Sequence, residues 1–357
     1  MMRFALAPLV LLLMAAAPLK PAGVPAPPPA PPIIIAHRGA SAERPEHTLA
    51  AYERAIEQGA DFIEPDLVPT KDHQLVARHE NEISGTTDVA SHPEFADRKT
   101  TKTIDGESIT GWFTEDFTLA ELKTLRAKER LPQLRVANAA FDGQFDIPTL
   151  TEIIALAKAA SARSGRTIGI YPETKHPSYF KGIGLPIEPV LLAALKAASW
   201  TTAEAPVFIQ SFEVDNLKAL KTQTGVRLIQ LMGAKGKSAD GYDYAALASA
   251  EGLKQVATYA AGIGPERVMI IPRGPDGKLG QPTSLVRDAH AAGLEVHPWT
   301  FRPENYFLPV DFMRGNDPRA IGDGEAEIRA YLATGIDGLF SDSTATAARA
   351  LAQPERR

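Results

Sequence analysis

Five short stretches hold the side chains able to do chemistry: His37-Arg38, Glu64-Pro65-Asp66, His79, Glu173-Thr174-Lys175 and His297-Pro298-Trp299. Glu64 and Asp66 stand two apart, which on a strand turns both carboxylates to one face. Facing acids repel, and they stay ionised only beside a cation. With Glu173 they form an all-oxygen donor set suited to a hard divalent cation, Ca²⁺ first and Mg²⁺ second. The imidazoles of His37 and His79 titrate near neutral pH and can serve as general acid and base. Arg38 is planar, always charged and bidentate, which suits a phosphate oxygen. Lys175 offers a second cation, either for another phosphate oxygen or as the partner of Glu173. Trp299 is either a pocket wall or a core residue. His47 reads as local to the start of its helix, and His73, His92, His176 and His290 as surface or loop residues.

These residues need a scaffold that brings distant strand ends together. From Ile33 onward, short apolar runs alternate with amphipathic stretches. The strand candidates are Ile33–Ala36, Phe62–Leu67, Leu75–Arg78, Thr167–Tyr171, Pro206–Gln210, Val226–Leu231, Arg267–Ile271, Leu294–Val296 and Ile336–Phe340. The helix candidates are Thr48–Gln58, stopped by Gly59, then Leu150–Ser161, Val190–Ala198 and Thr283–Ala292. Near-continuous apolar strands alternating with helices predict an α/β protein with a parallel sheet covered by helices. The length suits a (β/α)₈ TIM barrel over residues 33–350, with an open doubly wound sheet as the other arrangement. Nine candidates for eight places mean that one is surplus. The polar, irregular stretch of about 80–147 reads as an insertion after the third strand. In such a barrel the C-terminal strand ends carry the site, so His37-Arg38, Glu64, Asp66 and His79 would ring one mouth.

Composition narrows the partners. The chain has 357 residues, 44% hydrophobic and 23% charged, the mix of a globular domain with ample core. Its net charge of −5 offers nothing to nucleic acid. With no cysteine, thiolate metal sites, cysteine nucleophiles and disulfides are excluded. Arg3 followed by the uncharged run Phe4–Ala17 predicts a secretory signal peptide over 1–17, too short to span ~30 Å of hydrocarbon. Residues 18–32 are Pro- and Ala-rich and predict an extended linker. Export to the periplasm or the medium follows, without stable membrane insertion after signal removal.

Other chemistries fail on their motifs. Gly236-Lys237-Ser238 is no phosphate loop, because Leu231 occupies the place of its first glycine. There is no GxSxG elbow, and HENEI at His79 is not HExxH.

Taken in order, HRGAS and PEHT within His37–Thr48, EPDLVPTKD at Glu64–Asp72, His79, PETK at Pro172–Lys175, QSFE at Gln210–Glu213, VHPWTFR at Val296–Arg302 and GIDGLFSD at Gly335–Asp342 carry a resemblance. From Ile33 to about Ala348 the chain resembles the glycerophosphodiester phosphodiesterase family, above all its periplasmic branch. The resemblance implies a TIM barrel that hydrolyses glycerophosphodiesters to sn-glycerol 3-phosphate and an alcohol. It implies Glu64, Asp66 and Glu173 as metal ligands, His37 and His79 as the acid–base pair, and Arg38 as phosphate binder. Glu46, in the PE(N/H)T motif, is expected either with Lys175 and Trp299 on the substrate side or one layer behind it. The chain departs from the family pattern at Pro65, at Glu80 and after Ser341-Asp342-Ser343, where the usual proline is missing, and none of these is a matched catalytic position. The rival enzymatic reading is a related barrel phospholipase acting on lysolipids or membrane lipids. It calls for an apolar rim, and only scattered candidates occur around Tyr306–Phe312. The non-enzymatic rival, an exported binding protein, would tolerate loss of a histidine or an acid, and none is missing.

Overall fold

Three isoleucines, whose branched Cβ favours extended backbone, open the first strand, Ile33–His37 (β1). The computed structural model describes residues 31–352. The predicted signal peptide and nearly all of the linker lie outside the described residues. The other strands are Phe62–Glu64 (β2), Asp66–Pro69 (β3), Leu75–Ala77 (β4), Thr100–Ile104 (β5), Glu107–Gly111 (β6), Gly169–Ile170 (β7), Glu173–Thr174 (β8), Phe208–Ser211 (β9), Arg227–Met232 (β10), Gly262–Pro265 (β11), Glu295–Val296 (β12) and Gly338–Ser341 (β13).

β13, β1, β2 and β7 pair in parallel in that order, and β12, β11, β10, β9, β8 and β3 form a second parallel run. The two runs are continuous. β2 passes into β3 through Pro65, and β7 into β8 through Pro172, residues with no N–H to give to a ladder. Backbone bonds bridge these breaks, from Tyr171 N to Ile63 O (2.9 Å) and from Glu173 N to Pro65 O (2.9 Å). At the far side Asp337 N donates to Val296 O (3.0 Å), Phe340 N to Pro298 O (3.0 Å) and Phe301 N to Phe340 O (2.8 Å). The result is the expected eight-position barrel of parallel strands.

Two cores hold it. Ile35, Phe62, Tyr171, Phe208, Ile229 and Phe340 fill the barrel interior. A larger set lies between strands and helices, among them Tyr52 and Ile56 of helix Leu49–Glu57, and Ile153 and Ala157 of helix Leu150–Ser164. Thr48, the first residue of the helix candidate, stands just outside the first of these helices and caps it by accepting from Ala51 N (3.1 Å).

Two strand assignments from sequence need correction. Leu75–Arg78 does extend, but β4 folds back antiparallel on β3 (Leu67 opposite Ala77) and stands outside the parallel ring. Arg267–Ile271 is no strand: Arg267–Met269 is a 3-10 turn, and the barrel strand is β11, just before it. Its two glycines look like turn residues but serve close packing. A Cβ on Gly264 would sit 2.6 Å from Leu231 Cδ2.

The insertion that follows β4 holds the exposed β5–β6 hairpin, 3-10 turns and the short helices Leu119–Leu122 and Val136–Ala139. Among the described residues no helix is long and apolar enough to cross a membrane.

Candidate active site

The ends of β1, β2, β8 and β9, with the segment after β12, open on one pocket of about 320 Å³. His37, Arg38, Glu64, His79, Glu173, Lys175, Gln210 and Trp299 line it, beside Phe212, Arg302 and Phe340. Its size suits a small ligand.

β1 ends on His37, and the next residue turns sharply. Arg38 has φ +60° and Gly39 φ +87°. Only glycine fits at 39, where a Cβ would lie 2.7 Å from the Ala51 carbonyl carbon. A left-handed arginine is strained by roughly 1–3 kcal/mol. The turn is held by Arg38 N, which donates to Glu64 Oε2 (2.8 Å), and by His47 N, which donates to Arg38 O (3.0 Å).

Glu64, Asp66 and Glu173 are buried, and one ligand oxygen from each lies within 4.8 Å of the others. Parallel pairing of β3 with β8 sets Asp66 directly opposite Glu173. Burial, with repulsion from Asp66 and Glu173, pushes the Glu64 carboxyl well above its usual range. Burial and Asp66 push Glu173 up to about 8 against the pull of Lys175, whose Nζ is 2.8 Å away. Burial acts the same way on Asp66, but Lys175, His79 and His47 outweigh it and hold Asp66 low. With all three ionised, Asp66 Oδ1 has no donor among the described residues. Crowded, buried, oxygen-only donors with an unpartnered oxygen fit a divalent cation.

The two histidines share one design. His37 Nδ1 bonds Asp342 Oδ1 (2.6 Å), and His79 Nδ1 bonds Glu80 Oε1. Burial and Arg38 depress His37 to about 4, and burial with Arg38 and Lys175 depresses His79 to about 3. Both rings are neutral at pH 7. An ionised carboxylate only accepts, so each Nδ1 carries the ring proton and each Nε2 is left with its lone pair.

Other residues settle on the pocket or behind it. Lys175 pairs with Glu173, one of its two expected roles, and also lines the pocket. Trp299 is a pocket wall, anchored by Nε1 to Gly264 O (2.8 Å), whereas His297 is buried against Tyr171. Glu46 takes the outer of its two expected places and does not touch the substrate side directly. It stands behind Arg38, accepting from Arg38 Nη1 (3.1 Å) and twice from Arg130 (2.7 Å each), and it does not line the pocket.

Sequence reasoning passed over several residues at this site. His47 is fully buried and does more than its local role at the helix start: Nδ1 bonds Tyr52 Oη of that helix (2.8 Å), while Nε2 reaches Asp66 Oδ2 (2.8 Å). Gln210 Nε2 donates to Glu64 Oε1 (3.0 Å). Asp342, Arg130 and Arg135 complete the surround. The signal for His47, Gln210 and Asp342 was their place inside quoted motifs; Arg130 and Arg135 gave none.

A parallel barrel with an acidic trio, two carboxylate-held imidazoles and the Arg38 guanidinium at one mouth is an arrangement suited to binding and cleaving a phosphate ester. A family model for the glycerophosphoryl diester phosphodiesterase family matches residues 37–346. The chain is 38% identical over 328 residues to a glycerophosphodiester phosphodiesterase of Arabidopsis thaliana, covering 88% of this chain and 84% of that one. It is 31% identical over 311 residues to one of Haemophilus influenzae, covering 79% and 82%. Among solved structures, a phosphodiesterase of Oleispira antarctica in complex with the product sn-glycerol-3-phosphate superposes with TM-score 0.58 at 20% identity, covering 90% and 98%. A Silicibacter pomeroyi structure described as a putative glycerophosphoryl diester phosphodiesterase reaches 0.64 at 21%, covering 90% and 94%. The chain belongs to the glycerophosphoryl diester phosphodiesterase family and is an enzyme.

Proposed function

We propose that the protein hydrolyses glycerophosphodiesters to sn-glycerol 3-phosphate and an alcohol, with His37 and His79 as the acid–base pair. The observation that carries this reading is the meeting of both imidazoles, Arg38 and the Glu64–Asp66–Glu173 trio at one pocket. Glu64, Asp66 and Glu173 would hold the divalent cation, Ca²⁺ before Mg²⁺, and when bound it supplies positive charge against the phosphate oxygens. Arg38 and Lys175 bind the phosphodiester anion and offset charge that grows on its oxygens. One Nε2 takes the proton from the attacking hydroxyl as the new P–O bond forms. The other imidazole, protonated, gives its proton to the departing alcohol oxygen as the old P–O bond breaks. Burial is the main cause that depresses both histidines, and the arriving anion opposes it by setting a negative charge beside them and partly neutralising Arg38 and Lys175. In the family-type route the glycerol 2-hydroxyl attacks first, and water then opens the cyclic phosphate. The first step is thereby intramolecular. Trp299 and Phe212 supply apolar wall for the glycerol or the leaving group.

The periplasmic or secreted location rests on the sequence pattern of residues 1–32 and is tested by fractionation with N-terminal sequencing of the mature chain. The activity is tested by release of glycerol 3-phosphate from a panel of diesters, with chelator and with each divalent ion restored in turn. His37→Ala and His79→Ala should each lose at least a hundredfold in kcat with unchanged circular dichroism. A His79→Ala enzyme of normal activity refutes the pair. Turnover of lysophosphatidylcholine in preference to glycerophosphocholine refutes the substrate class.

A further inference from the structure

We infer that Arg130 and Arg135, both supplied by the insertion, are positioning residues, each gripping the carboxylate that fixes one of the two histidines. The inference rests on the acid–base role given above to His37 and His79.

The geometry is parallel on the two sides. Arg135 Nη2 donates to Asp342 Oδ2 (2.6 Å), whose other oxygen takes the His37 Nδ1 bond. Arg130 donates through Nη1 to Glu80 Oε1 (3.1 Å) and through Nη2 to Glu80 Oε2 (2.6 Å), and Glu80 takes the His79 Nδ1 bond. The remaining donors of both arginines also serve the barrel mouth. Arg130 closes a second fork on Glu46, the partner of Arg38. Arg135 reaches Glu304 (2.6 Å) and the Ser41 carbonyl (3.0 Å). The side chain of Arg135 is only 6% exposed.

A carboxylate sets a histidine's tautomer only if the carboxylate is itself fixed. Asp342 has Arg302 Nε (2.9 Å) as a second cation, so its aim survives in part without Arg135. Glu80 is about one-third exposed and has no cation other than Arg130 among the described residues. Without Arg130 it is free to swing, and the His79 ring can flip or change tautomer. One short segment of the insertion therefore presets both imidazoles with Nε2 bare, and a shift of that segment would disturb both together. This gives the insertion a function that its irregular sequence does not announce.

The test uses the full-length mature chain. Arg130→Ala should lower kcat ten- to hundredfold, the range seen when an outer partner of a functional side chain is removed. It should also raise KM, because Arg38 loses its brace through Glu46. Arg135→Ala should lower kcat by less and leave KM within about twofold. Arg→Lys at either position should recover part of the loss, and added guanidinium should partly restore the Ala variants. Lys123→Ala, which removes an insertion ion pair to Glu152 away from the pocket, should leave both constants unchanged. On Asp342→Asn, Arg135→Ala should add less than a twofold loss, because both act through one ring. Nitrogen-15 NMR of the histidine rings gives a readout independent of turnover: one Nδ1-protonated tautomer at His37 and His79 in the parent, and mixed tautomers at His79 in Arg130→Ala. Should Arg135→Ala not fold with Glu304 left unpaired, Arg135→Lys and the Arg130 pair still decide. Unchanged tautomers, or kcat within twofold in Arg130→Ala, overturn the inference. A parent enzyme that releases no glycerol 3-phosphate overturns the proposed activity instead and leaves the NMR result standing.

Discussion

Glu173→Gln should stabilise the metal-free protein at neutral pH and abolish its response to calcium. At the 4.8 Å that bounds the three ligand oxygens, each ionised pair costs about 3.5 kcal/mol at an effective dielectric constant near 20. Asp66, held low, is the ionised partner of Glu173, so one such pair counts, about 3.5 kcal/mol. Lys175 at 2.8 Å returns about 6. The charges alone thus favour the ionised form, but burial, the largest influence, outweighs them and lifts Glu173 to about 8 from its ordinary 4.5. A carboxyl raised on folding stabilises the fold when protonated. That stability is fully present below pH 4.5 and is lost as pH rises through 8. At pH 7 the loss is on the order of 3 kcal/mol. Glutamine keeps the shape, can donate to the unpartnered Asp66 oxygen, accepts from Lys175 and removes the pH-dependent charge. For a chain of this size 1 kcal/mol is about 1.5 °C in Tm. The variant in chelator at pH 7 should therefore melt about 4 °C above the parent, and the gap should shrink toward pH 5. Parent protein at calcium a hundredfold above Kd should gain about 2.7 kcal/mol, again about 4 °C, and the variant less than 1 °C. Calorimetric melts from pH 5 to 9, with chelator and with calcium, supply both numbers. A metal-free parent whose Tm is flat from pH 5 to 8, or a variant that melts lower at pH 8, would refute the reasoning.

Three further outcomes follow from the same contacts. His47→Ala leaves Asp66 without its imidazole donor and should weaken calcium binding ten- to hundredfold by titration calorimetry; an unchanged Kd would show that Asp66 needs no such brace. Trp299→Ala removes a pocket wall remote from the proton transfers. It should raise KM severalfold with kcat nearly unchanged, and a loss confined to kcat would count against the wall assignment. Gly264→Ala forces a methyl to 2.6 Å from Leu231 and should cost about 1–3 kcal/mol in urea denaturation. A neutral result would mean that β10 and β11 have slack.

What the sequence made legible was local. The strand ending in His37-Arg38, the two-residue spacing of Glu64 and Asp66, and the helix that Gly59 stops can each be read within a few residues, because strand period and helix period are short-range rules. β11 was missed for a physical reason: its glycines make room for Leu231 and for Glu295, which come from neighbouring strands and are invisible along the chain. Leu75–Ala77 has the same apolar pattern whether it joins a parallel ring or doubles back, and only its partner decides. The surround of the site was the least legible part. His47 meets Asp66 across 19 residues, Arg130 meets Glu46 across 84, and Arg135 meets Asp342 across 207. Each is a charged or titrating side chain that alone would be ascribed to solvent. Burying it is costly unless a partner of opposite charge is buried with it, and that partner is fixed by the closing of the barrel. The candidate side chains could be read from the strand ends, while the contacts that brace them appear only once the barrel has closed and the insertion has folded.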